Sequence, residues 1–213
     1  MHLPTILLAA AGVCALLAIA TDWEERRHPA FYLLKPLTTA LILAAAWTAI
    51  PASGSAYREL VLGALALSLL GDICLMFDSN AWFAGGLASF LAAHVLFVPA
   101  FLNGVAIGMP PVWAALVVAY GLGLCAWLLP RAGVLKIPVA LYCAALLAMA
   151  LAAALRWQAL GGRPAGLALI GALLFVASDS ALAVRRFGGR YRGAQALILS
   201  TYWAAIGLIA ASV

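Results

Sequence analysis

LSLLGDICLMF, residues 67–77, holds a carboxylate, Asp72, inside a run otherwise too apolar for water; LLFVASDSALAV, residues 173–184, holds a second, Asp179, in the same setting. Neither run alternates in polarity as a barrel strand would, so each reads as a helix crossing a hydrocarbon layer. The rest of the chain agrees. Of its 213 residues, 67% are apolar and 9% are charged, whereas a soluble domain carries about 25% charged residues. A hydrocarbon core about 30 Å thick needs about 20 helical residues. Eight segments meet that length: about 3–20, 35–51, 58–77, 84–102, 111–129, 134–156, 165–184 and 194–212. Stretches rich in turn residues or charge, such as TDWEERRHP, PASGSAY and RRFGGRYRG, separate them. The expectation is an all-α membrane protein, a bundle of eight transmembrane helices, with residues 1–213 forming a single integral membrane domain. MHLPT carries no Lys or Arg, so the first segment reads as a retained helix rather than a cleaved signal peptide.

Loop charges set the expected orientation. Arg26, Arg27, Lys35, Arg131, Lys136, Arg185, Arg186, Arg190 and Arg192 fall on one side of the membrane, and Arg58, Arg156 and Arg163 on the other. The richer side belongs in the cytoplasm, which leaves both termini outside. The Ala/Leu/Gly-rich composition points to a bacterial inner membrane. The net charge of +5 reports orientation and contact with anionic headgroups, not nucleic-acid binding. Cys14, Cys74, Cys125 and Cys143 form no CxxC pair and read as four small buried thiols.

A charge in hydrocarbon costs roughly 2.5–3.5 kcal/mol on insertion scales. A buried carboxylate therefore finds a partner or takes up a proton. With the charge-derived topology, Asp72 and Asp179 both lie in the cytoplasmic half of their helices. Lys35, Thr38 and Thr39 enter from that side on the second segment, and Ser200, Thr201 and Tyr202 on the eighth. His94 sits near the middle of the fourth. Scattered structural polars would not cluster by depth, so the pattern argues for one site. Each residue also has a plainer role. Lys35 can snorkel to the headgroups, Thr38 and Thr39 can bond back to their own helix, and Ser178 and Tyr202 can join helices. His94 can be a packing histidine, and Asp78 reads as a solvated turn residue or helix cap. GD-x-x-L at 71–75 and SD-x-x-L at 178–182 echo each other; internal duplication and coincidence both fit. A zinc site would want more than one deep His, and no GxSxG motif is present. No metal and no cofactor are expected.

Five short motifs occur in order: Lys35-Pro36-Leu37-Thr38-Thr39, Gly71-Asp72-x-x-Leu75-Met76, Phe90-x-x-x-His94, Ser178-Asp179-x-x-Leu182-Ala183 and Ser200-Thr201-Tyr202. Together with eight helices, they resemble the lysoplasmalogenase family of YhhN-like membrane proteins over nearly the whole chain. The resemblance implies hydrolysis of the vinyl-ether bond of lysoplasmalogens to a fatty aldehyde and a glycerophospho-headgroup. It matches the family's two proposed catalytic aspartates to Asp72 and Asp179. Two positions depart from the pattern. Phe97 stands where the family often has Tyr, and Ala205-Ile206 where it often has Ala-Gln.

Vinyl ethers hydrolyse by proton addition to the β-carbon, followed by attack of water on an oxocarbenium ion. Two carboxylates held in different environments suit that chemistry, one as acid and one as stabiliser and water base. The residues leave open which is which. His94 would orient water or share a proton. Lys35, with Arg185 or Arg186, would hold the phosphate of a lysophospholipid substrate, and its single chain would lie between helices. Intramembrane Asp and His also build proton relays, so a small proton-coupled transporter is the alternative, as is a lipid-binding membrane protein.

Overall fold

The computed structural model describes residues 2–22 and 28–213, all of whose regular elements are helical. Eight α-helices follow in order: α1 (Leu3–Thr21), α2 (Pro29–Thr48), α3 (Ser55–Cys74), α4 (Asn80–Leu102), α5 (Ala114–Leu128), α6 (Lys136–Leu160), α7 (Gly162–Gly188) and α8 (Ala194–Ala210). Two 3₁₀ turns join α5 to α6. Six of the helical runs are long and apolar enough to cross a membrane. The other two are α3, which carries Arg58, Glu59 and Asp72, and α8, which has 17 residues. Arg26 and Arg27, counted in the loop-charge argument, lie outside the described residues.

Each expected segment overlaps one helix, but more than half of the ends shift by three to six residues. α2 begins at Pro29, not at 35. Pro29 takes the first helical turn, where a missing N–H costs nothing, and His28 Nδ1 accepts a hydrogen bond from the Ala30 amide (3.2 Å). Pro36 therefore lies inside the helix rather than at its start. α3 stops at Cys74, three residues early, which puts Asp72 in its last turn. α7 runs on to Gly188 and takes Arg185 and Arg186 into its own last turn, where cations oppose the negative end of the helix dipole. The polar cap of α4 is Ser79, whose hydroxyl accepts from the Trp82 amide (3.1 Å), and not Asp78. Of the four thiols, Cys74 is buried and the other three are half-buried.

Neighbours in the bundle run α1–α2–α3–α4–α6–α7–α8, and α8 returns to α1 and α2. α5 stands outside this ring and packs on α6 and α7. The core fills the ring with Tyr57, Leu65, Phe97, Phe101, Met149, Phe175, Ile206 and Ile209. Phe97 stacks on Phe101 at 5.6 Å, and Ala205 and Ile206 are fully buried, so both departures from the family pattern are absorbed by apolar packing. Between apolar helices in hydrocarbon, close packing rather than water exclusion holds the contacts, and small residues permit it. A Cβ on Gly171 would stand 2.8 Å from the Ala205 carbonyl oxygen, so α7 and α8 approach backbone to backbone there. A Cβ on Gly71 would stand 2.6 Å from the Phe90 ring. That close approach seats Phe90 against α3, one residue from Asp72.

Candidate active site

Asp72 is 1% exposed and fully partnered. Thr39 Oγ1 donates to its Oδ2 (2.6 Å), Tyr202 OH donates to the same oxygen (2.7 Å), and Lys35 Nζ lies 3.6 Å from Oδ1. Trp203 Nε1 in turn donates to Thr39 Oγ1 (3.2 Å), which fixes the hydroxyl from behind. Lys35 is buried two turns into α2, so it pairs with Asp72 instead of reaching the headgroups from a helix start. Thr38 and Thr39 differ by one residue and 100° of helix rotation. Thr38 donates back to the Leu34 carbonyl (2.8 Å), while Thr39 reaches α3.

Asp179 has a different shell. Tyr142 OH donates to its Oδ2 (2.7 Å), and His94 Nε2 stands 3.4 Å from that oxygen, outside hydrogen-bond geometry. No Lys or Arg is bonded to it among the described residues. His94 is fully buried, with its ring edge-to-face on Phe175 (4.6 Å) and Tyr142 (5.1 Å). No hydrogen bond joins the two carboxylates among the described residues.

Both aspartates line one chamber of about 450 Å³, at the ends of α3 and α7 and the starts of α2 and α8. Of the residues expected at the site, Lys35, Asp72, Ser178, Asp179, Arg185, Arg186 and Tyr202 line it. Thr38, Thr39 and His94 do not; all three are fully buried, Thr39 behind Asp72 and His94 behind Asp179. Ser178 Oγ donates to the Ile198 carbonyl (3.0 Å), which ties α7 to α8 at the wall. Of the other helix-eight hydroxyls, Ser200 and Thr201 bond back to Leu197 and stay out of the chamber.

Tyr142 is a site residue the sequence reading missed. It lies six residues into α6, which starts on the same side as α2 and α8, so the depth argument that gathered Lys35 and Tyr202 applies to it equally. Gln195 and Asp22 were missed too. Gln195 Nε2 donates to Asp22 Oδ2 (2.7 Å) and its Oε1 accepts from Arg185 Nη1, a chain that links α8, α1 and α7 at the chamber's rim. Arg186 lies over the Phe83 ring (4.2 Å) and donates to Asn80 Oδ1 (3.2 Å). The chamber thus has cations and carboxylates at its rim and aromatic rings in its wall. Among the described residues, no group of three or more His, Cys, Asp or Glu side chains comes together as a metal cage would require.

The YhhN family profile matches residues 30–213, which covers α2 to α8 and every chamber-lining residue but Asp22. The chain belongs to the YhhN family. Over 180 residues this YhhN chain is 35% identical to human lysoplasmalogenase TMEM86B, a stretch covering 84% of the chain and 74% of the human protein. The Sus scrofa protein of the same name is 35% identical over 76% of the chain and 66% of its own length. A Mycobacterium tuberculosis protein named lysoplasmalogenase is 35% identical over 77% of the chain and 62% of its own length. No solved structure matches the chain.

Proposed function

We propose that this protein is a membrane-embedded hydrolase that cleaves the vinyl-ether bond of lysoplasmalogens, with Asp179 as the acid and Asp72 as the fixed negative charge. The family and its named relatives support the reaction class. The observation that supports the division of labour is the unequal pairing of the two carboxylates. Asp72 carries a lysine and two hydroxyl donors, a set that compensates an anion. Asp179 has a phenol and an imidazole and, among the described residues, no Lys or Arg bonded to it, a setting that suits a carboxylic acid that still holds its proton.

In this reading the Asp179 carboxyl gives its proton to the β-carbon of the vinyl ether, and the electron pair of the C=C bond becomes the new C–H bond. The cation left on the α-carbon and ether oxygen faces the Asp72 carboxylate across the chamber. Asp179, now an anion, takes a proton from water as the water oxygen bonds to the α-carbon. The hemiacetal then collapses: its C–O bond to glycerol breaks, Asp179 protonates the departing oxygen, and the hemiacetal hydroxyl returns a proton to Asp179. Aldehyde and glycerophospho-headgroup leave with no net proton change. Tyr142 and His94 position Asp179, and Arg185 and Arg186 receive the phosphate at the rim.

All eight helices span the bilayer in this account, α3 because its charges are paired or near its ends. The chamber opens to the cytoplasm, both termini lie outside, and residues 1–213 act as one domain in a bacterial inner membrane. The test is mass spectrometry of purified protein with lysolipids whose chain is attached by a vinyl ether, a saturated ether or an ester. Free aldehyde from the vinyl ether alone is expected. No chemical change to any of them, together with lipid-driven proton flux in liposomes, would replace this reading with a carrier.

A further inference from the structure

A second cavity meets the chamber at Asp179. It is small, about 70 Å³, and runs between α4, α5, α6 and α7. Leu75, Phe83, Phe90, Asp179, Leu182 and Arg186 line both spaces, so one continuous surface passes from polar rim to apolar interior. Beyond Asp179 its walls are mostly apolar, with Leu124 and Leu128 from α5, Val139 and Leu146 from α6, and Phe187 from α7. The cavity follows the seam between two hydrophobic clusters. The main core holds Phe90, Tyr142 and Leu146; a small separate cluster holds Leu128, Ala132 and Val139. Close-packed interiors leave few voids of this size, and this one lies beside Asp179. α5, which forms its outer wall, packs on α6 and α7 outside the helix ring.

We infer that this seam receives the hydrocarbon chain of a single-chain lipid, which enters from the bilayer beside α5 and leaves its headgroup in the chamber. The inference rests on the hydrolase reading above and adds where the chain lies. A lipid tail is already in hydrocarbon, so the seam gains little from transfer. What it supplies is register. With phosphate at Arg185 and Arg186 and the tail between α5 and α6, the first two carbons of the chain fall beside Asp179.

The experiment uses a 1-alkenyl lysophosphatidylethanolamine with a diazirine at the far end of its chain. It is photolysed with the full-length protein in detergent, with and without excess unlabelled lysolipid. Competable labelling of the segments that contain Leu124–Leu128 and Val139–Leu146 is expected; competable labelling confined to α1, α2 or α3 overturns the inference. In parallel, Leu128→Trp and Val139→Trp are assayed with 16-carbon and 4-carbon alkenyl chains. The ratio of short-chain to long-chain kcat/KM is expected to rise tenfold or more in both, and an unchanged ratio in both overturns the inference. If the unmodified protein releases no aldehyde from any chain, the hydrolase reading fails, while the photolabel still decides whether a chain occupies the seam.

Discussion

Lys35 and Asp72 are a buried ion pair whose removal can be read in free energy. The charges lie 3.6 Å apart with side chains 8% and 2% exposed. At an effective dielectric of about 20, unit charges at that distance attract by about 5 kcal/mol. Breaking such a pair by removing one partner costs about 3–5 kcal/mol, because the other charge is left buried and alone. Lys35→Met keeps the bulk of the side chain and takes the cation from the Asp72 carboxylate; Asp72→Asn keeps its shape and takes this carboxylate from the Lys35 ammonium. Each single variant should lose about 3 kcal/mol or more, and the double variant should lose less than the sum by about 2 kcal/mol or more. Reversible unfolding of the four proteins in mixed micelles, with denaturing detergent as the variable, measures all four corners of the cycle. Additivity to within about 0.5 kcal/mol would mean that the two charges do not interact, and the placement of Lys35 inside the bundle would be wrong.

Three further outcomes follow from the geometry. Tyr142→Phe removes the hydroxyl that donates to Asp179; a hydrogen bond to a carboxylate is worth about 1.5–3 kcal/mol, so kcat in the aldehyde assay should fall about tenfold to hundredfold, with a smaller change in KM. Gly71→Ala puts a methyl 2.6 Å from the Phe90 ring, which is wedged edge-on against Tyr202 at 5.6 Å. Overpacking of this kind costs about 1–3 kcal/mol, and turnover should drop with the thermal midpoint as Tyr202 is pushed off Asp72; a variant unchanged in both would contradict the packing. Arg156 lies 4.1 Å over the Tyr57 ring and donates to the Asn103 carbonyl (3.0 Å) at the far end of α6 from Tyr142. A desolvated cation–π contact is worth about 2 kcal/mol, so Arg156→Met should lower the unfolding midpoint while turnover per folded molecule holds.

The helices were legible because hydrocarbon thickness and turn chemistry are both written in single residues. Asp72 and Asp179 stood out for the same reason: a carboxylate in an apolar run is costly wherever it points. Less legible was anything that depends on rotation about a helix axis. Thr38 and Thr39 are equivalent in composition and depth, and only the facing of α2 toward α3 decides that Thr39 is the donor. The start of α2 was misplaced because proline usually ends a helix, and Pro36 sits inside one; that error hid Lys35 at an apparent membrane surface. Tyr142 was reachable by depth but passed over because no charge marked it. The outlying position of α5 leaves no trace in a segment that is apolar on every side.

The division of roles between the two aspartates is tested most directly by following the proton. The protein and its Asp179→Asn and Asp72→Asn variants, each shown to be folded, are given a 1-alkenyl lysophospholipid in D2O, and the released aldehyde is weighed by mass spectrometry. The unmodified protein should yield aldehyde with one deuterium on the carbon next to the carbonyl, and both variants should fall to the level of buffer. Near-normal release of singly deuterated aldehyde by Asp179→Asn would show that the carbon is protonated by some other group.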